Sequence, residues 1–241
     1  MCTVTFIRHE KNDFILTSNR DEAPDRYTHP PQIYSDAGGH LLYPKDSRAG
    51  GTWIGISEQK RLVCVLNGAF VKHHRTPPYE ISRGQIAKEL MVCENLGQEI
   101  DDLNLMQVEP FTMIIVEWKD DLRAMELIWD GFKKHLTEVT ESNRIWSSSS
   151  LYSSKMKAAR NHWFNNFKSS TDLDADSIWK FHHSAGDGNK EYGVIMDRGK
   201  VRTTSVTQVI KQGSEVQMIY DDLQANEKSV QAFKISQLNN G

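Results

Sequence analysis

A chain of 241 residues carries 29 Lys and Arg against 32 Asp and Glu, a formal net charge of -3. Its length suits one large core, so a single domain over residues 1–241 is expected, and the absence of a basic stripe or arm argues against nucleic acid as a partner. No stretch approaches the roughly twenty apolar residues of a membrane span, the opening apolar stretch is too short and too early charged for a signal peptide, and three widely spaced cysteines make no disulfide framework; a cytoplasmic protein that takes a small molecule is expected.

Residues 3–8 and 14–18 read as two strands joined by the polar turn Glu10-Lys11-Asn12-Asp13, a hairpin with Cys2 at its open end. An antiparallel ladder brings such ends to within roughly 5 Å, so Asn19, Arg20 and Asp21 come within reach of residue 2. Residues 23–51 hold Pro24, Pro30, Pro31, Pro44, Gly38, Gly39, Gly50 and Gly51, which predicts an ordered loop with one short strand. Strands resume at 52–57 and 61–66, before the turn pair Asn67-Gly68. Over 80–93, Ile81, Ile86, Ala87, Leu90 and Met91 recur at helical spacing, with Gly84 a weak point; 95–105 suits a second short helix. Residues 111–118 and 122–129 form another strand pair, followed by a strand at 135–139. Helices are predicted at 153–167 and 176–183, then strands at 192–196, 202–210 and 215–220 and a polar tail. Antiparallel strand pairs with helices grouped in two places give an α+β layering.

The residue with the most chemistry is Cys2. With Met1 removed it carries a thiol and a free α-amine, so nucleophile and general base sit on one residue; the alternative is a small strand residue that follows Met. Arg20 beside it would favour the thiolate and Asp21 would orient the amine, or the two would form an ion pair closing the hairpin. Asn67 would offer an amide to a developing oxyanion, against the reading of Asn-Gly as a plain turn. Trp53, among glycines, would line a binding pocket or sit in the core beside a bulge. Cys64 reads as a buried core thiol. The pairs His73-His74 and His182-His183 do not make two-ligand sites, because adjacent side chains diverge, and no metal site is expected.

Four segments in order, Met1-Cys2-Thr3, Ser18-Asn19-Arg20-Asp21-Glu22, Asp46-Ser47-Arg48-Ala49-Gly50-Gly51-Thr52-Trp53-Ile54-Gly55, and Leu66-Asn67-Gly68-Ala69-Phe70 followed by Pro77-Pro78-Tyr79, resemble the NRDE family, the transport-and-Golgi-organisation proteins and their bacterial relatives. They cover the first third of the chain; beyond it, residues 147–155 and 202–209 are the pieces that still align. The resemblance implies a four-layer αββα sandwich, two antiparallel sheets between helix layers, as in N-terminal-nucleophile hydrolases of the Cys class. The opening also resembles the bile-salt hydrolase and penicillin acylase group, which cleaves unactivated amides. Those relatives have a second Asn near mid-chain that helps to hold the oxyanion; Ser149 stands there in this sequence, with a shorter side chain and a single hydrogen to donate. Arg202 matches a late Arg of the family or is an exposed strand Arg.

Two functions follow as expectations. One is a hydrolase or acyltransferase acting on a C–N amide bond through an acyl-thioester on Cys2, with no cofactor required. The other, also implied by the resemblance, is a non-catalytic trafficking protein for haem or another hydrophobic cofactor. The state of residue 1 separates them, because a retained Met turns the Cys2 nitrogen into an amide and removes the base.

Overall fold

A computed structural model of the chain describes residues 2–234, with Cys2 described by its backbone alone. Two antiparallel sheets face each other. The first has six strands in the order β10-β1-β2-β11-β12-β13, built from β1 (Cys2–Arg8), β2 (Phe14–Glu22), β10 (Asn143–Ser147), β11 (Arg202–Gln212), β12 (Glu215–Asp222) and β13 (Glu227–Ala232). The second is a seven-strand meander of β3 (Thr28–Asp36), β4 (Gly39–Asp46), β5 (Ile54–Ser57), β6 (Arg61–Asn67), β7 (Phe111–Glu117), β8 (Arg123–Trp129) and β9 (Lys134–Glu138). Helices α1 (Arg83–Val92) and α2 (Leu96–Asp102) cover the second sheet, and α3 (Ser154–Ser170) and α4 (Ala175–Ser184) cover the first. This is the expected αββα sandwich. No helix among the described residues is long and apolar enough to cross a membrane.

The period of two along each strand decides which layer every side chain enters. On β1, Val4 and Phe6 join the core between the sheets, while Ile7 joins the core under α3 and α4. On β2, Phe14 and Leu16 face the other sheet and Ile15 faces the helices. Both faces of β2 are buried, so its polar residues are committed to one layer or the other.

Three sequence expectations change. The segment 23–51 is not a loop with one short strand: residues 28–46 within it form the hairpin β3–β4, closed by Ala37 and Gly38 at φ 51° and 87°. Positive φ at both central residues is what a two-residue hairpin turn of matching twist requires. Pro30 and Pro31 are tolerated because β3 is an edge strand and its register shifts between His29 and Gln32. Residues 192–196 are not a strand, since their carbonyls serve side chains: Tyr192 and Gly193 accept from Arg160, and Val194 accepts from Asn19 and Thr203. Finally, the edge strands β10 and β13 went unpredicted; β13 is almost wholly exposed and shows no alternation to read.

Candidate active site

At one end of the sandwich a cavity of about 110 Å³ is lined by Arg20 and Glu22 of β2, Arg26, Asp46 at the end of β4, Trp53, Asn67 and the first turn of α1 with its Ser82 cap, among others. The β1–β2 ladder places Cys2 directly opposite Arg20 in register. Directly opposed residues of an antiparallel pair share a face of the sheet, so position 2 belongs to the face that carries Arg20. The Cys2 thiol and Met1 lie outside the described residues.

Arg20 is 4% exposed, and its Nη2 donates to Asp46 Oδ2 at 2.6 Å. Its guanidinium lies 4.5 Å from the Trp53 ring centroid, a cation–π contact in a desolvated place. Asp46 also pairs with Arg26 Nε at 2.6 Å and accepts the N–H groups of Arg48 and Ala49. Burial acts to raise the Asp46 carboxyl, but the Ala49 N–H, Arg26 and Arg20 outweigh it and hold the group below its ordinary value. The ion pair expected between Arg20 and Asp21 is therefore replaced by Arg20–Asp46. The reason is strand alternation: neighbours on β2 point to opposite layers.

Asn19 and Asp21 face the helices. Asn19 donates to the carbonyls of His182 and Val194 and bonds the His182 ring. Asp21, fully buried, accepts from Tyr152 Oη at 2.6 Å and Thr203 Oγ1 at 2.8 Å. Desolvation raises its pKa, opposed by Arg160 and by these two hydroxyls. Neither side chain lines the cavity.

Asn67 does line it, and the carbonyl of Asn67 accepts from Ser148 Oγ at 2.6 Å. Ser149 comes close by another route. Gly68 is at φ +83°, and a Cβ there would sit 2.5 Å from Ser149 Oγ, a buried hydroxyl with no hydrogen-bond partner. Residues 67–68 and 148–150 are thus packed together, although Ser149 is not among the lining residues. Trp53 is a lining residue and its Nε1 is likewise buried without a partner. Arg202 lies elsewhere: it is half-buried at the start of β11, outside the cavity lining, and its guanidinium donates to the Gln224 side-chain oxygen. Reasoning from sequence missed Asp46, Glu22, Arg26 and Arg83. Asp46 and Glu22 were inside segments already singled out, and the signal overlooked was that charges in such segments must be partnered if buried.

Gly84 explains how α1 reaches the cavity. A Cβ at this position would meet the Thr52 oxygen at 2.7 Å and the Thr52 nitrogen at 2.8 Å, so the first turn of the helix rests backbone to backbone on residues 51–52. Helix propensity alone favours Ala over Gly by about 1 kcal/mol. Gly84→Ala is nevertheless expected to destabilise by about 1–3 kcal/mol, because the obstruction is main chain and cannot rotate aside. A urea melt decides, since an unchanged or raised midpoint would mean that α1 shifts freely.

A family model described as Transport and Golgi organisation 2 matches residues 1–184. No curated protein matches the sequence. Among solved structures, a variant of conjugated bile acid hydrolase from Clostridium perfringens is similar at 11% identity and a TM-score of 0.59, covering 99% of this chain and 94% of that one. Penicillin V acylase from Agrobacterium tumefaciens is similar at 10% identity and a TM-score of 0.54, covering 99% and 87%. The Caenorhabditis elegans ortholog of N-acylethanolamine-hydrolyzing acid amidase matches at 10% identity and a TM-score of 0.54, covering 87% and 92%. At such identities these likenesses establish the fold alone.

Proposed function

The chain belongs to the Transport and Golgi organisation 2 family, and from that premise we propose that it is an N-terminal-nucleophile hydrolase or acyltransferase acting on a C–N amide bond through Cys2. The observation that carries this reading is the register that sets Cys2 opposite Arg20 beside an ionic cavity. The names of its structural neighbours, a hydrolase, an acylase and an acid amidase, support the same class of reaction.

In this reading Met1 is removed and the Cys2 thiolate attacks the amide carbonyl carbon. The C–N bond breaks, the leaving amine takes the thiol proton by way of the α-amine, and an acyl-thioester remains. Water, or an acceptor in acyl transfer, then releases the acyl group and restores the thiol. Arg20 adds positive charge beside the sulfur; the lining as a whole sets Arg20, Arg26 and Arg83 against Glu22 and Asp46. Asp21 orients the amine. It can do so from the helix side of the sheet, because the amine belongs to the main chain at the strand end and not to either face. Asn67, with Ser149 packed behind it, supplies the oxyanion donor. A cavity of about 110 Å³ is smaller than the roughly 300–1,000 Å³ of a site enclosing a whole ligand, so it takes the reacting group and leaves the rest of the substrate outside. For the same reason, and because its lining is ionic, this cavity does not suit a haem, the cargo of the non-catalytic reading.

The test has two parts. Intact mass of the protein from its native host, under reducing conditions, should lack one Met; a retained Met would end the nucleophile reading and favour a carrier. An electrophilic acyl probe should label the processed protein, and Cys2→Ala should lose the label and lower turnover by about 10³-fold or more, while Cys64→Ala, deep between the sheets, should keep both. Labelling that survives in Cys2→Ala assigns the chemistry to another residue.

A further inference from the structure

On the helix side of the β1–β2 strand end, buried polar groups close around Asp21. Each of its oxygens accepts one hydroxyl: Tyr152 Oη donates to Oδ2 at 2.6 Å and Thr203 Oγ1 donates to Oδ1 at 2.8 Å. The Tyr152 ring is held in turn by Arg160 of α3, whose guanidinium carbon lies 3.6 Å from the ring centroid. Arg160 is fully buried; it donates to Thr3 Oγ1, one residue along the strand from Cys2, and to the carbonyls of Tyr192 at 2.9 Å and Gly193 at 2.7 Å. These direct partners of Arg160 are neutral oxygens, and the buried acid its charge acts on is Asp21. Among the described residues, Arg160 and Tyr152 are the ionisable groups that bear on Asp21. Opposite charges buried without touching cost stability that an apolar pair would not. The cluster is therefore arranged around the Asp21 carboxylate, and a hydroxyl on each oxygen fixes which way that carboxylate faces.

An acyl-thioester on Cys2 meets a hazard that arises because the α-amine and the sulfur belong to one residue. Attack of the amine lone pair on the thioester carbonyl passes through a five-membered ring, and such proximity is worth an effective concentration of roughly 10⁵ M or more. The new C–N bond forms, the C–S bond breaks and a proton of the amine passes to the sulfur. The product is a stable Nα-acyl amide without its general base, so the enzyme is spent. Repeated turnover needs the amine held with its lone pair turned from the acyl group.

We propose that Tyr152 and Thr203 are positioning residues that fix Asp21 so that it holds the Cys2 amine away from the acyl group and keeps the intermediate on sulfur. This inference rests on the catalytic reading and gives Asp21 a second task, protection of the amine from its own substrate.

The experiment acetylates the processed full chain with p-nitrophenyl acetate and follows intact mass before and after neutral hydroxylamine, which cleaves a thioester and leaves an amide. Wild type should release nitrophenolate in a step that Cys2→Ala abolishes, and should lose its acetyl group to hydroxylamine. In Tyr152→Phe the resistant acetyl on residue 2, located by peptide mapping and corrected for the direct acylation seen in Cys2→Ala, should rise at least about tenfold, the effect of one lost bond to a charged group. Thr203→Val takes the donor from the other oxygen and should give the same adduct, so the inference is decided even where one variant does not fold. Tyr43→Phe deletes an equivalent bond in the second sheet, from Tyr43 Oη to Asp36 Oδ2 at 2.7 Å, and should give none, which separates positioning from a general loss of rigidity. Folded variants at Tyr152 or Thr203 that clear their acetyl group as wild type does would overturn the proposal. So would resistant acetyl of equal extent in wild type or in Tyr43→Phe. In each of these cases a Cys2-dependent release of nitrophenolate leaves the catalytic reading standing, whereas its absence overturns both.

Discussion

Asp46→Ala will lower the stability of the fold by about 3–5 kcal/mol, the largest loss expected from a single change at the cavity. The carboxylate gathers Arg20, Arg26 and the N–H groups of Arg48 and Ala49. Its removal leaves the Arg20 guanidinium 4% exposed against the Trp53 ring. The polar contacts remaining to Arg20 are long ones, to the Arg26 carbonyl at 3.5 Å and Thr204 Oγ1 at 3.4 Å. A buried charge with such partners bears most of its desolvation cost uncompensated. The double variant Arg20→Met with Asp46→Leu should recover much of the loss, because it removes both charges and keeps apolar volume beside Trp53. Urea unfolding of the three variants reads the coupling. A loss below about 1 kcal/mol for Asp46→Ala would show that water reaches the pair and screens it.

The second large effect is an acid transition centred on His182. This ring is fully buried; Nδ1 faces Asn19 Oδ1 and Nε2 lies 2.7 Å from Thr5 Oγ1. With the Asn19 amide nitrogen engaged by two carbonyls, its oxygen accepts, so the neutral tautomer with the proton on Nδ1 satisfies every partner and Thr5 donates to Nε2. Burial, then the charges of His183 and Arg160, push the pKa down from 6.5 to about 3. The folded chain thus binds fewer protons here than the unfolded chain between those values. The stability that follows is fully present above pH 6.5 and is lost as pH falls towards 3, on the order of 4–5 kcal/mol in all. Asp21 acts in the opposite sense: its raised pKa contributes stability below the ordinary carboxylate value, lost as pH rises. His182→Gln isolates the ring, since one amide can donate to Asn19 and accept from Thr5. Between about pH 6 and 4 the wild-type stability curve should be steeper than that of the variant by about 1.4 kcal/mol per pH unit, the slope of one proton. Parallel curves would mean that the folded state admits the imidazolium.

Both effects arise where polar residues of the buried pair β1–β2, Arg20 in one case and Asn19 with Thr5 in the other, meet groups on distant elements, and that is where sequence reading stopped short. The hairpin β1–β2 was legible because alternation and a polar turn occur within twenty-two residues, and the approach of position 2 to position 20 follows from it. The segment around Asp46 was legible as a motif, though not as the partner of Arg20, which is twenty-six positions away. The roles given to Asn19 and Arg202 came from nearness along the chain or from resemblance. In the fold, alternation turns Asn19 to the helix layer, and the guanidinium of Arg202 reaches Gln224.

By itself the sequence determined most strand and helix periods, an α+β layering and the meeting of Cys2 with Arg20, because these rest on local alternation or on a short hairpin, while the four-layer αββα order was what the family resemblance implied. It could not determine that residues 28–46 of the proline-rich segment 23–51 pair as a hairpin, since an edge position is a property of the whole sheet and supplies the tolerance that Pro30 and Pro31 need. Nor could it choose Asp46 over Asp21 as the partner of Arg20 or join Gly68 to Ser149, eighty-one positions apart. Those pairings were decided by tertiary structure alone: a buried charge takes whichever partner the packed layers bring within about 3 Å, a side chain such as Ser149 packs on whatever main chain lies beside it, and which groups those are depends on how two distant sheets and their helices come to rest on one another.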